Sequence, residues 1–364
     1  MNFHPGHRHG GEVYATARRL GVPPEMLTDF SSNANVFALD LTESLVKATP
    51  YPFLHYPDTW ASSLVQAIAA YEQMEPDRIM AGNGSSELIW LIMQGFAPQK
   101  VLFVGPAFSE HIAACEALSI PYEILTPPAE NAFDFTPEDL ARLYDTTADL
   151  VILCTPNNPA GVTYSNMRAV LQMLRAPRVL IDNSYREFLY GTDEYTENRL
   201  QAYMAAARPG VAIFTLHSFT KFFCCPGIRL GYLMGERNHL ARLTAKRPAW
   251  TISPFAQNMG LAFLRTMDDY RERLAPLYAA QTEMGLELRR LDCFNPDFIF
   301  DGPGFFCCGL RTGRNAQGVF SALLKQHLLV RNCDSIPGMP PGFIRIQVRP
   351  ASDSQRLLRA LERL

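Results

Sequence analysis

Ser218-Phe219-Thr220-Lys221, followed by Gly227-Ile228-Arg229-Leu230-Gly231-Tyr232, decides how this chain is read. The run Val211–Leu216 in front of it is apolar without alternation, as in a strand buried on both faces. A lysine just past such a strand, in a small and polar turn, suits a Schiff base, because desolvation and nearby cations lower an amine's pKa and expose its lone pair. Arg229, flanked by Gly227 and Gly231, can approach a phosphate closely and bind it bidentately. An ordinary surface lysine and arginine behind a strand would look the same, so the reading needs other segments.

Three more segments follow short apolar runs. Asp182-Asn183-Ser184-Tyr185 comes directly after Val179-Leu180-Ile181. A carboxylate at the C-terminal end of a parallel strand points into the ligand crevice. There it can keep a pyridine nitrogen protonated and make the ring an electron sink. Tyr185 would reach a ring phenolate oxygen; the plain alternative is a helix N-cap aspartate. Thr155-Pro156-Asn157-Asn158-Pro159-Ala160-Gly161 follows Leu150–Cys154 and reads as a stiff loop whose Asn158 amide can donate to a ring oxygen, or as a simple Asn-Pro turn. Gly82-Asn83-Gly84-Ser85-Ser86-Glu87 leads into an apolar, buried helix, so exposed N–H groups and the helix dipole would make an anion site at the sheet crevice.

Strand-like runs at Val101–Gly105, Leu150–Cys154, Val179–Asp182 and Val211–Leu216 alternate with helix-like segments. Thr136-Pro137-Glu138-Asp139 opens one helix and Ser165 is placed as the cap of another. That alternation predicts an α/β fold, a mainly parallel sheet with helices on both faces. The last third differs: one long amphipathic helix from Tyr270 to about Leu291, strands near Phe298–Phe300 and Phe305–Leu310, a helix near Gln317–His327, a strand at Ile344–Val348, and a last helix at Gln355–Leu364 capped by Ser352. It reads as a smaller α+β domain. The boundaries are 46–254 for a large cofactor domain, with 1–45 and 255–364 as a split small domain.

At 364 residues, 48% hydrophobic and 19% charged, the chain can bury a large core and is not disordered. A net charge of -3 gives no footing for nucleic acid or a membrane surface. The start, Met1 to Gly11, lacks the apolar core of a signal peptide, and no run approaches a membrane span. Eight cysteines, two pairs adjacent and none as C-x-x-C, read as reduced thiols in a cytoplasmic protein.

Taken together, the four segments resemble the fold-type I pyridoxal phosphate enzymes of the aspartate aminotransferase superfamily, from about Asp29 to Arg349. The resemblance implies a seven-stranded sheet and assigns roles. Lys221 would carry the cofactor covalently. Asp182 would pair with its ring nitrogen, and Asn158 and Tyr185 would contact its ring hydroxyl. Gly84, Ser85, Ser86, Ser218 and Arg229 would hold its phosphate. Phe108, in Gly105-Pro106-Ala107-Phe108, would stack on the ring. Tyr56, in His55-Tyr56-Pro57-Asp58, would reach the phosphate of a neighbouring subunit, which implies a homodimer. Arg345, in Ile344-Arg345-Ile346, would clamp the substrate α-carboxylate.

Within that superfamily, His9-Gly10-Gly11 and Asp29-Phe30-Ser31-Ser32-Asn33-Ala34-Asn35 are similar to the threonine-phosphate decarboxylases of cobalamin biosynthesis, a branch close to the histidinol-phosphate aminotransferases. Such enzymes convert O-phospho-L-threonine to (R)-1-amino-2-propanol O-2-phosphate. The resemblance implies a phosphorylated amino-acid substrate, with His9, Asn33, Arg331, Arg345 and Arg349 as its binders and His9 as a lid. Two or three arginines would supply the concentrated charge that a dianion needs. His4, His7 and His9 lack a carboxylate or cysteine partner and are not taken as a metal site. Decarboxylation and transamination differ only in which α-carbon bond stands perpendicular to the ring, so an aminotransferase is the alternative. Asn183-Ser184, Tyr185 and Val36-Phe37 depart from the usual pattern and bear on the substrate, leaving O-phosphoserine, histidinol phosphate or another metabolite open. A regulator of the same fold would carry a fused basic domain, for which the sequence offers no segment.

Overall fold

The structure, a computed structural model, describes residues 9–364. His4 and His7 therefore lie outside the described residues. The strands in chain order are β1 (Thr28–Asp29), β2 (Ile79–Gly82), β3 (Val101–Val104), β4 (Tyr122–Leu125), β5 (Leu150–Cys154), β6 (Arg178–Asp182), β7 (Ala212–Ser218), β8 (Gly231–Met234), β9 (Phe294–Gly302), β10 (Phe305–Leu310), β11 (Leu328–Leu329), β12 (Arg331–Asn332) and β13 (Phe343–Gln347).

The seven-stranded sheet has the order β2-β8-β7-β6-β5-β3-β4. β4, β3, β5, β6 and β7 pair in parallel, and β8 runs antiparallel to both β7 and β2. Why these strands lack alternation is visible in the cores. Val151, Leu153, Val179 and Ile181 face one cluster with Leu64, Ile68, Val170 and Phe263. Leu150, Ile152, Leu180 and Phe214 face another with Leu88, Ile92 and Leu243. Both faces are thus roofed by helices, and burying each such side chain contributes about 1.5–3 kcal/mol. Parallel strands buried on two sides need apolar residues at every position.

A second, antiparallel sheet has the order β12-β13-β10-β9. β1 pairs in parallel with β11, and Phe30 continues the contact by donating to Leu329 O and accepting from Gln347 N. This carries residues 28–35 from near the N-terminus to the second sheet. The C-terminal ends of β5, β6 and β7 deliver Cys154, Asp182 and Ser218 to one sheet edge, where open α/β sheets bind ligands.

Thr136 forms a capping box with Asp139 at the helix Pro137–Tyr144. The long helix expected from Tyr270 is instead two, Met267–Glu272 and Leu274–Leu288. Pro276 explains the break, because it offers no N–H to Glu272 and its ring crowds that carbonyl. Ser165 does not cap Met167–Met173; its hydroxyl donates to Asp134 Oδ2. The last helix is Ala351–Leu361, so it starts ahead of Ser352, directly after Pro350. No helix among the described residues is long and apolar enough to cross a membrane.

Candidate active site

A cavity of about 270 Å³ opens at this sheet edge, with Lys221, Asn158, Phe108, Ser86, Arg229, Arg331 and Arg345 in its walls. Lys221 lies just past β7, and its Nζ donates to Ser32 O at 2.8 Å. Desolvation, with Arg345 and Arg229 nearby, lowers its pKa from 10.5 to about 8 against the pull of Asp29 and Asp182. The amine is therefore partly unprotonated near neutrality, as a nucleophile must be.

Asp182 ends β6 and is buried. Oδ1 accepts from Ser184 N (3.0 Å) and Ser184 Oγ (2.6 Å), and Oδ2 lies 3.3 Å from His111 Nε2. Burial alone would raise its pKa, but these partners hold it below the ordinary carboxylate value, so the acid stays ionised. His111 escaped sequence reasoning. Its one signal is position: it follows Phe108 by three residues, the first of the helix Ser109–Ala117 lying between them. The Tyr185 hydroxyl accepts from Asn33 Nδ2 at 3.3 Å, and burial pushes its pKa to about 12, so it remains a donor. Asn33 is buried beside it without lining the cavity, and its Oδ1 has no partner.

The Thr155–Gly161 loop is pinned by Asn157, whose Nδ2 donates to Pro106 O and whose Oδ1 accepts from Ala160 N. That leaves the Asn158 side chain in the cavity, where Oδ1 accepts from Arg345 Nη1.

At the opposite end stands the N-terminus of the helix Gly84–Phe96. Gly84 has φ +72°, and a Cβ there would sit 2.6 Å from Arg229 Nη2. A Cβ on Gly231 would be 2.8 Å from Ser85 N. Glycine at both positions lets Arg229 close on exposed amide groups, the cradle an oxyanion needs. Ser86 lines the cavity, and Ser218 Oγ sits nearby in a short turn with Thr220 Oγ1 (2.8 Å).

Arg345 and Arg331 are both buried and face each other in the β12–β13 register. Arg345 donates to Ser31 O and packs over the Phe305 ring at 5.7 Å. Gly10 lies against it: a Cβ there would meet Ser31 O at 2.0 Å and Arg345 Nη2 at 2.9 Å. His9 covers the mouth, with Nε2 3.0 Å from Glu110 Oε1 and its ring 5.9 Å from Phe108. Glu110, a carboxylate in an otherwise cationic cavity, was also not anticipated.

Two expected residues stand elsewhere. Arg349 does not line the cavity; its Nε donates to Asp353 Oδ2 (2.8 Å) and Nη1 to Asp29 O (3.1 Å), because the first turn of the last helix presents Asp353 four residues on. Tyr56 is 80% exposed, stacked on Trp250 at 4.8 Å, away from the cavity of its own chain. Among the described residues no group of three or more His, Cys, Asp or Glu is arranged to hold a metal.

The family model for aminotransferase class I and II matches residues 25–364. The chain belongs to this family. Among its relatives, the threonine-phosphate decarboxylase of Salmonella typhimurium is 26% identical over 97% of this chain and 95% of its own length. The histidinol-phosphate aminotransferase of Desulfitobacterium hafniense is also 26% identical, over 93% and 92%. The fold matches that of a histidinol-phosphate aminotransferase from Sinorhizobium meliloti solved in complex with pyridoxal 5'-phosphate, with a TM-score of 0.77 and 18% identity, covering 100% of this chain and 97% of that one. This aminotransferase class I and II protein thus has the fold-type I architecture that its four segments implied.

Proposed function

We propose that this enzyme binds pyridoxal 5'-phosphate at Lys221 and decarboxylates a phosphorylated hydroxy-amino acid, O-phospho-L-threonine above others, giving (R)-1-amino-2-propanol O-2-phosphate. The residues suit the cofactor. Lys221 offers a weakly basic amine, Asp182 an ionised carboxylate for the ring nitrogen, Phe108 a ring to stack on, and the Gly84 cradle with Arg229 a phosphate site. The unpartnered Asn33 Oδ1 beside Tyr185 leaves polar capacity unused there. Bound at the lysine, the cofactor supplies an electron sink for a bond broken at the substrate α-carbon.

One observation carries the substrate class: two buried arginines, Arg331 and Arg345, share the cavity wall across one strand pair. One guanidinium orients the α-carboxylate and the other takes a second anion, a phosphate monoester. Arg345, braced by Asn158 and Ser31, sets the carboxylate's angle and so which bond is aligned for cleavage. Lys221, once released, returns a proton to the α-carbon. His9 and Gly10 exclude water from the mouth. Segments 1–45 and 255–364 are read as one unit closing over 46–254.

The deciding test incubates purified protein with pyridoxal phosphate and O-phosphothreonine and measures carbon dioxide. No release, with turnover of histidinol phosphate and 2-oxoglutarate instead, would select the aminotransferase reading, which the equal 26% identity to both kinds of relative keeps alive.

A second copy of the chain is the proposed partner. Tyr51, Phe53, Leu54, Tyr56, Trp60 and Trp250 are each more than half exposed, an apolar cluster that a lone soluble molecule rarely shows. Tyr56 would reach the other copy's phosphate site; light scattering at the monomer mass would refute this. Eight buried, free thiols suit the reducing cytoplasm proposed for it.

A further inference from the structure

Glu72 is fully buried at the C-terminus of the helix Ser62–Glu72, the end of the macrodipole that repels a carboxylate. Arg186, 1% exposed, donates to it twice, Nη1 to Oε2 at 3.0 Å and Nη2 to Oε1 at 2.7 Å. The Tyr232 hydroxyl adds a third bond to Oε1 at 2.5 Å. Burial raises the carboxyl's pKa, but Arg186 chiefly overrides this and brings it to about 2, so the pair is ionic. Neither residue lines the active cavity. A buried ion pair adds little net stability, because desolvation offsets its attraction. Its place in the fold points to another role.

The connections supply one. Arg186 follows Tyr185 directly and its N–H donates to Asn183 O, so its guanidinium anchors the turn that carries Asp182 and Tyr185. Tyr232 follows Gly231, which packs on Ser85 N and pairs with both Ser218 on β7 and Gly82 on β2. Tyr232 also stacks flat on His217, the residue before Ser218, at 4.4 Å and 5°. The turn that follows Asp182 and strand β8 therefore meet on one carboxylate, and β8 in turn pairs with the strand ends that lead to Gly84 and to Lys221.

We infer that Glu72 and Arg186 are positioning residues, a buried strut that holds the ring-nitrogen turn and the phosphate cradle at the spacing one cofactor molecule requires. This rests on the proposed pyridoxal phosphate site. Neither residue touches the cofactor; they act through Tyr185, Ser218 and Gly231.

The test is a double variant, Glu72→Leu with Arg186→Met, which removes both charges of the pair together; Glu187, which also accepts from Arg186, keeps its bonds from Tyr71 and Tyr195. Pyridoxal phosphate itself is the probe. Thermal melting of the cofactor-free protein, the dissociation constant of the cofactor and its induced circular dichroism are measured beside wild type. The apoprotein is expected to melt as wild type does, while cofactor binding weakens about tenfold or more and the induced dichroism falls. A parallel drop in apoprotein melting would assign the pair a merely structural role and overturn the inference. Tyr232→Phe, which removes one hydroxyl and no charge, is expected to weaken binding about threefold; unchanged binding in that variant overturns the inference even where the double variant does not fold. A wild-type chain that binds no pyridoxal phosphate overturns both readings. Wild-type binding matched within about twofold by the double variant, with the same dichroism, overturns only the strut.

Discussion

His111 Nε2 lies 3.3 Å from Asp182 Oδ2, with both side chains buried. The contact and the two bonds from Ser184 keep the Asp182 carboxyl below its ordinary 3.8 despite burial. His111→Phe removes one of these supports while keeping a ring in place. Losing a hydrogen bond to a charged group costs about 1.5–3 kcal/mol, which is about tenfold or more in rate if the charge is used in the transition state. The expected outcome is a kcat about tenfold lower with KM little changed, read by steady-state kinetics. The stability from Asp182 is present above pH 3.8 and lost as pH falls through its depressed value, so acid unfolding of His111→Phe should begin at higher pH than in wild type.

Lys221 has a dependence of the same sign in a more alkaline window. Its pKa falls from 10.5 in an open chain to about 8 here, chiefly by desolvation. Folding therefore disfavours its charge, and apoprotein stability should rise as pH goes from about 8 to 10.5. Covalent capture of pyridoxal phosphate needs the neutral amine, so its rate should climb with a midpoint near pH 8; a midpoint near 10.5 would contradict the desolvated site. After borohydride reduction, the cofactor should be found on the peptide containing Lys221 and be absent from Lys221→Ala.

Much of this site was legible because its residues sit where local pattern changes. Asp182 closes β6 directly after the apolar Val179–Ile181, Lys221 follows β7, whose Ala212–Leu216 is apolar but for Thr215, and Gly84 opens an apolar helix. Strands β5 and β10 were readable residue for residue, since two-sided burial leaves no polar position to blur their ends. What local pattern cannot encode is pairing across the chain. His111 meets Asp182 over a separation of 71 residues, and Gly10 meets Arg345 over the whole length of the fold. The Arg349–Asp353 pair, by contrast, is an i,i+4 spacing that sequence does display. It is the signal that Arg349 would be turned away from the cavity.

Gly84→Ala tests the phosphate cradle. With φ at +72°, a side chain costs about 1–2 kcal/mol in backbone strain. Its Cβ would also stand 2.6 Å from Arg229 Nη2 and push the guanidinium off the helix N-terminus. Both effects predict a cofactor dissociation constant raised about tenfold or more, measured by titrating the apoprotein. Binding equal to wild type would move the phosphate site elsewhere.

Gly10→Ala separates the substrate end from the cofactor end. A Cβ at Gly10 would lie 2.0 Å from Ser31 O, backbone that also accepts from Arg345, and 2.9 Å from Arg345 Nη2. The turn at residues 9–11 must then lift away from Arg345, the arginine proposed to orient the carboxylate. Nothing in that movement touches Gly84, Arg229 or Asp182, which line or support the other end of the cavity. KM for the amino-acid substrate should therefore rise about tenfold while the dissociation constant for pyridoxal phosphate stays at its wild-type value. An equal loss of both would mean that the N-terminal segment supports the cofactor rather than closing over the substrate.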